Sequence, residues 1–209
     1  MDLNFSRKNN VYTLLYQGLK RLIDIVLSFL LLVFLSPLLL FIAMMIKLTS
    51  HGPVIFSQER YGYKKKPFLI YKFRTLHHYC THKKGGDQIK QEDYRLTSFG
   101  RFMRCYSLDE LPQLFNILKG NMSFVGPRPH AIDHHHYYQK HIPRYNKRLT
   151  VVPGLTGLAQ IEGWRGATPR LEQMIERLEC DCTYIRQRSL ATDMRILCLT
   201  VVLGAWRTK

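Results

Sequence analysis

Ile25-Val26-Leu27-Ser28-Phe29-Leu30-Leu31-Leu32-Val33-Phe34-Leu35-Ser36-Pro37-Leu38-Leu39-Leu40-Phe41-Ile42-Ala43-Met44-Met45-Ile46 contains no charged residue. Its least apolar members are Ser28, Ser36 and Pro37. The run reaches the ~20 residues that a membrane-crossing helix needs. Helices of soluble cores are shorter and amphipathic. Pro37 removes a backbone hydrogen bond and clashes with the carbonyl four residues back, which predicts a kink at Ser36-Pro37. Ser36 is placed to satisfy backbone groups that lipid cannot. Both flanks are basic, with Lys20 and Arg21 ahead and Lys47 then Lys64-Lys65-Lys66 behind. Cationic flanks favour the cytoplasmic side, and a straight span would strand one of them. The predicted arrangement is a re-entrant helix–break–helix over 20–49, bent at Ser36 and Pro37, with a kinked single span as the alternative. A polar lead over 1–19 precedes it, and a cytosolic domain over 50–209 follows. The run lies too deep and is too long for a signal peptide.

Over 209 residues, Lys and Arg number 31 against 15 Asp and Glu, a formal charge of +16. That surplus points to an anionic partner: nucleic acid, lipid headgroups or a phosphorylated substrate. The length suits one domain with its own core. Cys80, Cys105, Cys180, Cys182 and Cys198 are odd in number and irregular in spacing, with no CxxC pair. They read as free thiols of a reducing compartment, not as a disulfide framework or zinc knuckle.

Downstream, the pattern predicts an α+β, mostly helical domain with short β segments. Ser50-His51-Gly52-Pro53 is a turn. Val54-Ile55-Phe56 and residues 68–73 read as β segments, rich in branched and aromatic side chains. Residues 77–93, with Gly85-Gly86, read as a loop. Residues 111–119 suit a short helix ending at Gly120. A turn is predicted at 153–157, helical character over 168–184, and an apolar helix from about 193 to 206. That last helix, with Trp206, is open to a bilayer-surface contact as an amphipathic interfacial element or to a homodimer contact.

Asp109 and Glu110 are the candidate reactive pair. Helical neighbours point about 100° apart, so the two carboxylates suit two different jobs, such as nucleophile and metal ligand. The competing reading is a helix cap, because Ser107 and Glu110 have capping-box spacing. Pro112 complicates it, since it suits the first position of a helix that starts after the dyad. Either way a helix end would keep Asp109 ionised and favour phosphate. Arg128, fixed between Pro127 and Pro129, suits two-pronged phosphate binding or is a surface turn residue. Lys72 and Arg74 fall on one face of a predicted strand, either toward a ligand or toward solvent. His130 and His134 have helical metal-ligand spacing, but no third ligand can be placed beside them and chance accounts for the pair. There is no GxSxG elbow, P-loop or GxGxxG cradle.

These residues resemble the bacterial sugar transferase family, the monotopic phosphoglycosyl transferases that initiate exopolysaccharide, O-antigen and glycan assembly. The resemblance runs from Lys20 to about Thr200. It rests on Lys20-Arg21 with Asp24, Ser36-Pro37, Gly52-Pro53-Val54, Gln58-Glu59-Arg60-Tyr61-Gly62 and Tyr71-Lys72-Phe73-Arg74-Thr75. It continues through Asp93-Tyr94-Arg95-Leu96-Thr97, the block 107–129, 153–157 with Ala159-Gln160, Asp181, Tyr184 and Ser189-Leu190. It implies transfer of a sugar-1-phosphate from a UDP-sugar to undecaprenyl phosphate, with release of UMP, at the inner leaflet of the bacterial cytoplasmic membrane. It implies that Asp109 forms a covalent phosphosugar intermediate, that Glu110 holds Mg²⁺, and that Arg104 and Arg128 handle phosphate; Lys72 and Arg74, from the strand-face reading, are the further phosphate-binding candidates. It also implies that Ser36-Pro37 is the bend of a re-entrant helix. The segment Gln160-Ile161-Glu162-Gly163-Trp164-Arg165-Gly166 looks like the version in members that transfer hexose-1-phosphate. His134-His135-His136 and Cys180-x-Cys182 fall outside the family pattern, and the chain is expected to be a minimal catalytic unit.

Two other readings compete. A membrane-tethered nucleic-acid-binding protein would use the aromatic–basic interleaving of residues 60–74, but it leaves the dyad unexplained, so no nucleic acid partner is expected. A non-catalytic scaffold for glycan assembly conflicts with an intact dyad and both arginines.

Overall fold

The computed structural model describes residues 2–80, 93–166, 168 and 170–204, and the side chains from Tyr12 to Val202 among them. Most of the 77–93 loop, together with Trp206, lies outside the described residues.

The lead and the first arm of the apolar run form one helix, α1 (Asp2–Phe34), so the lead is not a separate element. Once a helix is nucleated, each added residue contributes one more hydrogen bond, and the polar stretch can continue it. α2 (Ser36–Thr49) follows at a bend of 61°. The carbonyl that Pro37 cannot serve belongs to Val33, and Ser36 Oγ donates to it at 2.8 Å. The predicted break and its chemical remedy are both present. No single described helix is long and apolar enough to cross a membrane; α1 and α2 pass that test only as a bent pair.

Both ends of this pair are fastened to the same domain. On α1, Arg21 donates to the carbonyls of Ile117 and Leu118 at 2.6 and 2.7 Å. The buried Asp24 accepts from the Phe124 amide and the Ser123 hydroxyl. Lys20 pairs with Asp193 at 2.7 Å. On α2, Ile42 and Ile46 are buried against Phe73 and Met103. Between these anchorages Phe29, Leu30, Val33, Phe34, Leu40 and Phe41 stand exposed.

β1 (Ile55–Tyr61) and β2 (Pro67–Phe73) form an antiparallel hairpin, with Ile55 opposite Phe73 and Tyr61 opposite Pro67. α3 (Ser98–Cys105) begins at Thr97, whose side chain caps the Gly100 amide at 2.9 Å. α4 (Gln113–Lys119) stops at Gly120, whose φ of 87° is left-handed. β3 (Ser123–Val125) pairs in parallel with β4 (Gly154–Thr156), where a turn was predicted. A Cβ on Gly154 would sit 2.1 Å from the Gly126 amide nitrogen, so the strand depends on close backbone approach that no local signal announces. α5 (Ile132–His141), a 3₁₀ stretch (Tyr145–Thr150), α6 (Leu158–Ile161), α7 (Leu171–Gln187) and α8 (Leu190–Gly204) complete the α+β, mostly helical fold. The main core gathers Ile70, Leu114, Ile117, Met122, Phe124, Val125, Tyr184 and Ile196.

Candidate active site

Asp109 and Glu110 lie in a 3₁₀ turn, Leu108–Glu110, between α3 and α4. Ser107 enters it in the left-handed region, at φ 57°, a conformation rare outside glycine. Ser107 makes no cap bond; its hydroxyl accepts from Arg165 at 2.7 Å. Glu110 does not reach back to Ser107 either, because its carboxylate is held elsewhere. The capping-box reading therefore gives way to the alternative, in which the helix starts after the dyad, with Pro112 in the cap position.

Glu110 is gripped by two cations. Lys72 Nζ stands 2.6 Å from Oε1. Arg128 presents both guanidinium ends, with Nη1 3.0 Å from Oε2 and Nη2 on Oε1. Burial alone would raise the pKa of Glu110, but Arg128 and Lys72 overcome it and hold the group well below the usual carboxylate range. Asp109 is more buried and less engaged, with Lys72 at 3.7 Å. Burial pushes its pKa up, the charge of Glu110 adds to that, and Lys72, Arg104 and Arg128 oppose it. α4 begins only at Gln113, so the ionised form of Asp109 is favoured chiefly by Lys72, Arg104 and Arg128, against the cost of burial, and not by the helix end the sequence suggested.

The hairpin delivers Lys72. Asn116 of α4 accepts from the Tyr71 amide at 2.9 Å and donates to the Leu69 carbonyl at 2.7 Å, which fixes β2 against the dyad. An Asn within an apolar helix was the signal that such a link exists, because a buried amide needs partners. Arg104 faces the same charges and interacts electrostatically with Asp109 and Glu110.

Lys72, Arg104, Asp109, Glu110 and Arg128 are therefore brought together, whereas Arg74 is not. It sits just beyond β2, buried, and its guanidinium donates to the carbonyls of Ser50, His51 and Pro53. It locks the turn after α2, and the alternation that placed it on the face of Lys72 ends with the strand at Phe73. Of the other cations of 60–74, Arg60 turns inward onto the Pro129 carbonyl and Lys72 onto Glu110, while Lys64, Lys65 and Lys66 stay exposed. His130 lies among Arg148, Arg177 and Arg60, surroundings that repel a cation. Arg60 and Arg148 were not singled out as site residues from sequence.

Two adjacent carboxylates beside cations can serve a hard, oxygen-seeking ion such as Mg²⁺, which takes one or two carboxylates together with substrate phosphates. Among the described residues no group of three or more His, Cys, Asp or Glu stands together, so substrate oxygens would have to complete the shell. Lys72 and Arg128 occupy both oxygens of Glu110 here, so a bound ion would have to draw Glu110 away from them.

The sequence model for the bacterial sugar transferase family matches residues 15–207. The chain is 50% identical over 188 residues to a UDP-glucose:undecaprenyl-phosphate glucose-1-phosphate transferase of Klebsiella pneumoniae, covering 88% of this chain and 40% of that protein. It is 50% identical over 186 residues to the protein of the same name from Escherichia coli K12, covering 89% of this chain and 40% of that protein. It is 43% identical over 194 residues to the exopolysaccharide production protein PSS of Rhizobium leguminosarum, covering 91% of this chain and 97% of that protein. The chain thus spans about two fifths of the length of the first two relatives and nearly all of the third. On this evidence the chain belongs to the bacterial sugar transferase family.

Proposed function

We propose that this protein transfers a hexose-1-phosphate from a UDP-sugar to undecaprenyl phosphate and releases UMP. The observation that carries the reading is the unequal treatment of the dyad. Glu110 is clasped by Lys72 and Arg128, while the buried Asp109 has its nearest cation partner at 3.7 Å. One carboxylate is tied down, and the other is left with lone pairs to attack.

In the first step an Asp109 oxygen attacks the phosphorus next to the sugar. The bond from that phosphorus to the bridging oxygen breaks, and UMP leaves with the electron pair. In the second step a phosphate oxygen of the lipid attacks the same phosphorus, and the bond to Asp109 breaks to restore the carboxylate. Splitting the transfer lets one site meet a soluble and a lipid substrate in turn. Arg128, Arg104 and Lys72 cancel charge on the pyrophosphate as it gathers on the leaving oxygen. Once Lys72 and Arg128 turn from Glu110 to the substrate phosphates, Glu110 would be free to hold Mg²⁺, which when bound would supply further charge neutralisation.

The helix pair supports a re-entrant anchor at the cytoplasmic membrane, with the catalytic domain on the cytoplasmic face. One folded domain holds Arg21 and Asp24 at one end of the apolar run and Ile42 and Ile46 at the other, and it cannot lie on both sides of a bilayer. At ~1.5 Å per residue each arm reaches about half of a ~30 Å hydrocarbon core. The exposed Phe29, Leu30, Val33, Phe34, Leu40 and Phe41 give that depth an apolar surface.

The test is UMP release from a panel of UDP-sugars with undecaprenyl phosphate, Mg²⁺ and detergent, for wild type and Asp109→Asn. The names of the Klebsiella and Escherichia relatives put UDP-glucose first. Release by the wild type alone supports the reading, and full activity in the variant contradicts it.

A further inference from the structure

The loop Gly126-Pro127-Arg128-Pro129 is gripped by two arginines to which the reaction above gives no part. Arg148, in the 3₁₀ stretch Tyr145–Thr150, donates from Nη2 to the Arg128 carbonyl at 2.6 Å and from Nη1 to the Tyr145 hydroxyl at 3.0 Å. The same Nη2 lies 2.9 Å from Asp181 Oδ2 on α7, and both side chains are only 3% exposed. Arg60, on β1, donates from Nη1 to the next carbonyl, that of Pro129, at 3.0 Å, and from Nη2 to Gln58 at 2.6 Å. Two successive carbonyls are thus held from two different elements, and between them the Arg128 side chain reaches Glu110.

The prolines do part of this work. Their rings fix φ at 127 and 129, and Pro129 keeps Arg128 out of the helical region. Within that extended region they still leave φ at Arg128 and a residual range of ψ, which together set the direction of its carbonyl, and that carbonyl is the one Arg148 takes. Burying the Arg148–Asp181 pair removes two charges from water, and well-packed apolar side chains would fill the space without that cost. An apolar pair could not present an N–H to the Arg128 carbonyl.

We propose that Arg148, anchored by Asp181, and Arg60 are positioning residues that aim Arg128 at Glu110 and the substrate phosphates. The proposal rests on the phosphosugar-transfer reading. Arg148→Lys retains a cation for Asp181 but lacks the guanidinium fork that also serves the Arg128 carbonyl and Tyr145.

The test is a double-mutant cycle of Arg148→Lys and Arg128→Met, read by UMP release from UDP-glucose. Arg148→Lys alone should lose about 10²-fold in kcat/KM, the scale of a misplaced catalytic group. In the Arg128→Met background it should cost almost nothing more, because the residue it aims is gone. Equal losses in both backgrounds would mean a purely structural role and overturn the proposal. Arg60→Met, which leaves the buried ion pair alone, replaces Arg148→Lys in the cycle if that variant does not fold. A structure of the positioning variant adds an arm independent of activity: Arg128 displaced from Glu110 supports the proposal, and Arg128 unmoved refutes it. Wild-type UMP release with an additive cycle sinks the positioning role alone. No release from any UDP-sugar sinks the transfer reading, and the structural arm then decides the positioning of Arg128.

Discussion

Arg128 meets Glu110 through both ends of its guanidinium, with Nη1 3.0 Å from Oε2 and Nη2 on Oε1. A lysine can match the charge but not the two-pronged geometry. Arg128→Lys is expected to lower UMP release by ~10²-fold, the scale of losing one donor to a developing charge. Circular dichroism should show an unchanged fold. Activity within a few fold of wild type would mean that charge alone suffices.

The helix pair predicts a topology. Epitope tags on both termini should be inaccessible to protease in intact spheroplasts and cleaved after lysis, because both ends of the apolar run are fastened to one domain. A straight span would expose one tag from outside. Pro37→Ala restores the missing amide, and we expect it to shift part of the population toward that straight form.

Gly154→Ala tests the floor of the site. The new Cβ would meet the Gly126 nitrogen at 2.1 Å and the Thr156 carbonyl at 2.4 Å, neither of which can swing aside. Destabilisation of at least about 1–3 kcal/mol is expected from thermal unfolding, with loss of UMP release because Gly126 leads into Arg128. A Tm equal to that of the wild type would mean that the β3–β4 contact is looser than described.

His135 gives a pH signature. Burial, aided by the Arg148 charge, lowers its pKa from 6.5 to about 4, and Gln139 bonds its ring at 3.2 Å. The unfolded chain takes up that proton near 6.5, whereas the folded chain does so only near 4. The stability from the neutral ring is therefore full above 6.5, begins to fall below it, and is lost as pH drops through about 4. Tm measured across that window should fall less steeply in His135→Gln than in wild type. Parallel curves would remove His135 from the account.

Much of this was legible in sequence. The break at Ser36-Pro37, the strand at 67–73 and the helix ending at Gly120 follow from local chemistry: a missing amide, branched residues and a left-handed stop; the pairing into a hairpin and the run of β1 on to Tyr61 were not anticipated. α5 was not legible. Its buried face is His135 and Tyr138, which no apolar periodicity marks. β3 and β4 are three residues each and exist because glycines about thirty positions apart allow two backbones to touch. The cluster of Lys72, Arg104, Asp109, Glu110 and Arg128 was anticipated together with Arg74, and different jobs were expected of Asp109 and Glu110, but which cations hold Glu110 was not legible. Only the distances show that Lys72 and Arg128 hold Glu110 while Arg74 turns away to the carbonyls of 50–53.

The central claim is that Asp109 carries the phosphosugar. It is tested most directly by incubating the protein with UDP-glucose and Mg²⁺, without lipid acceptor, then quenching and mapping peptides by mass spectrometry. One equivalent of UMP and a hexose-phosphate mass on the peptide containing Asp109, absent in Asp109→Asn, is the predicted result. The variant should be at least as stable as the wild type, because burial already disfavours the charge that Asn removes. Turnover with lipid present but no adduct on Asp109 would contradict the account.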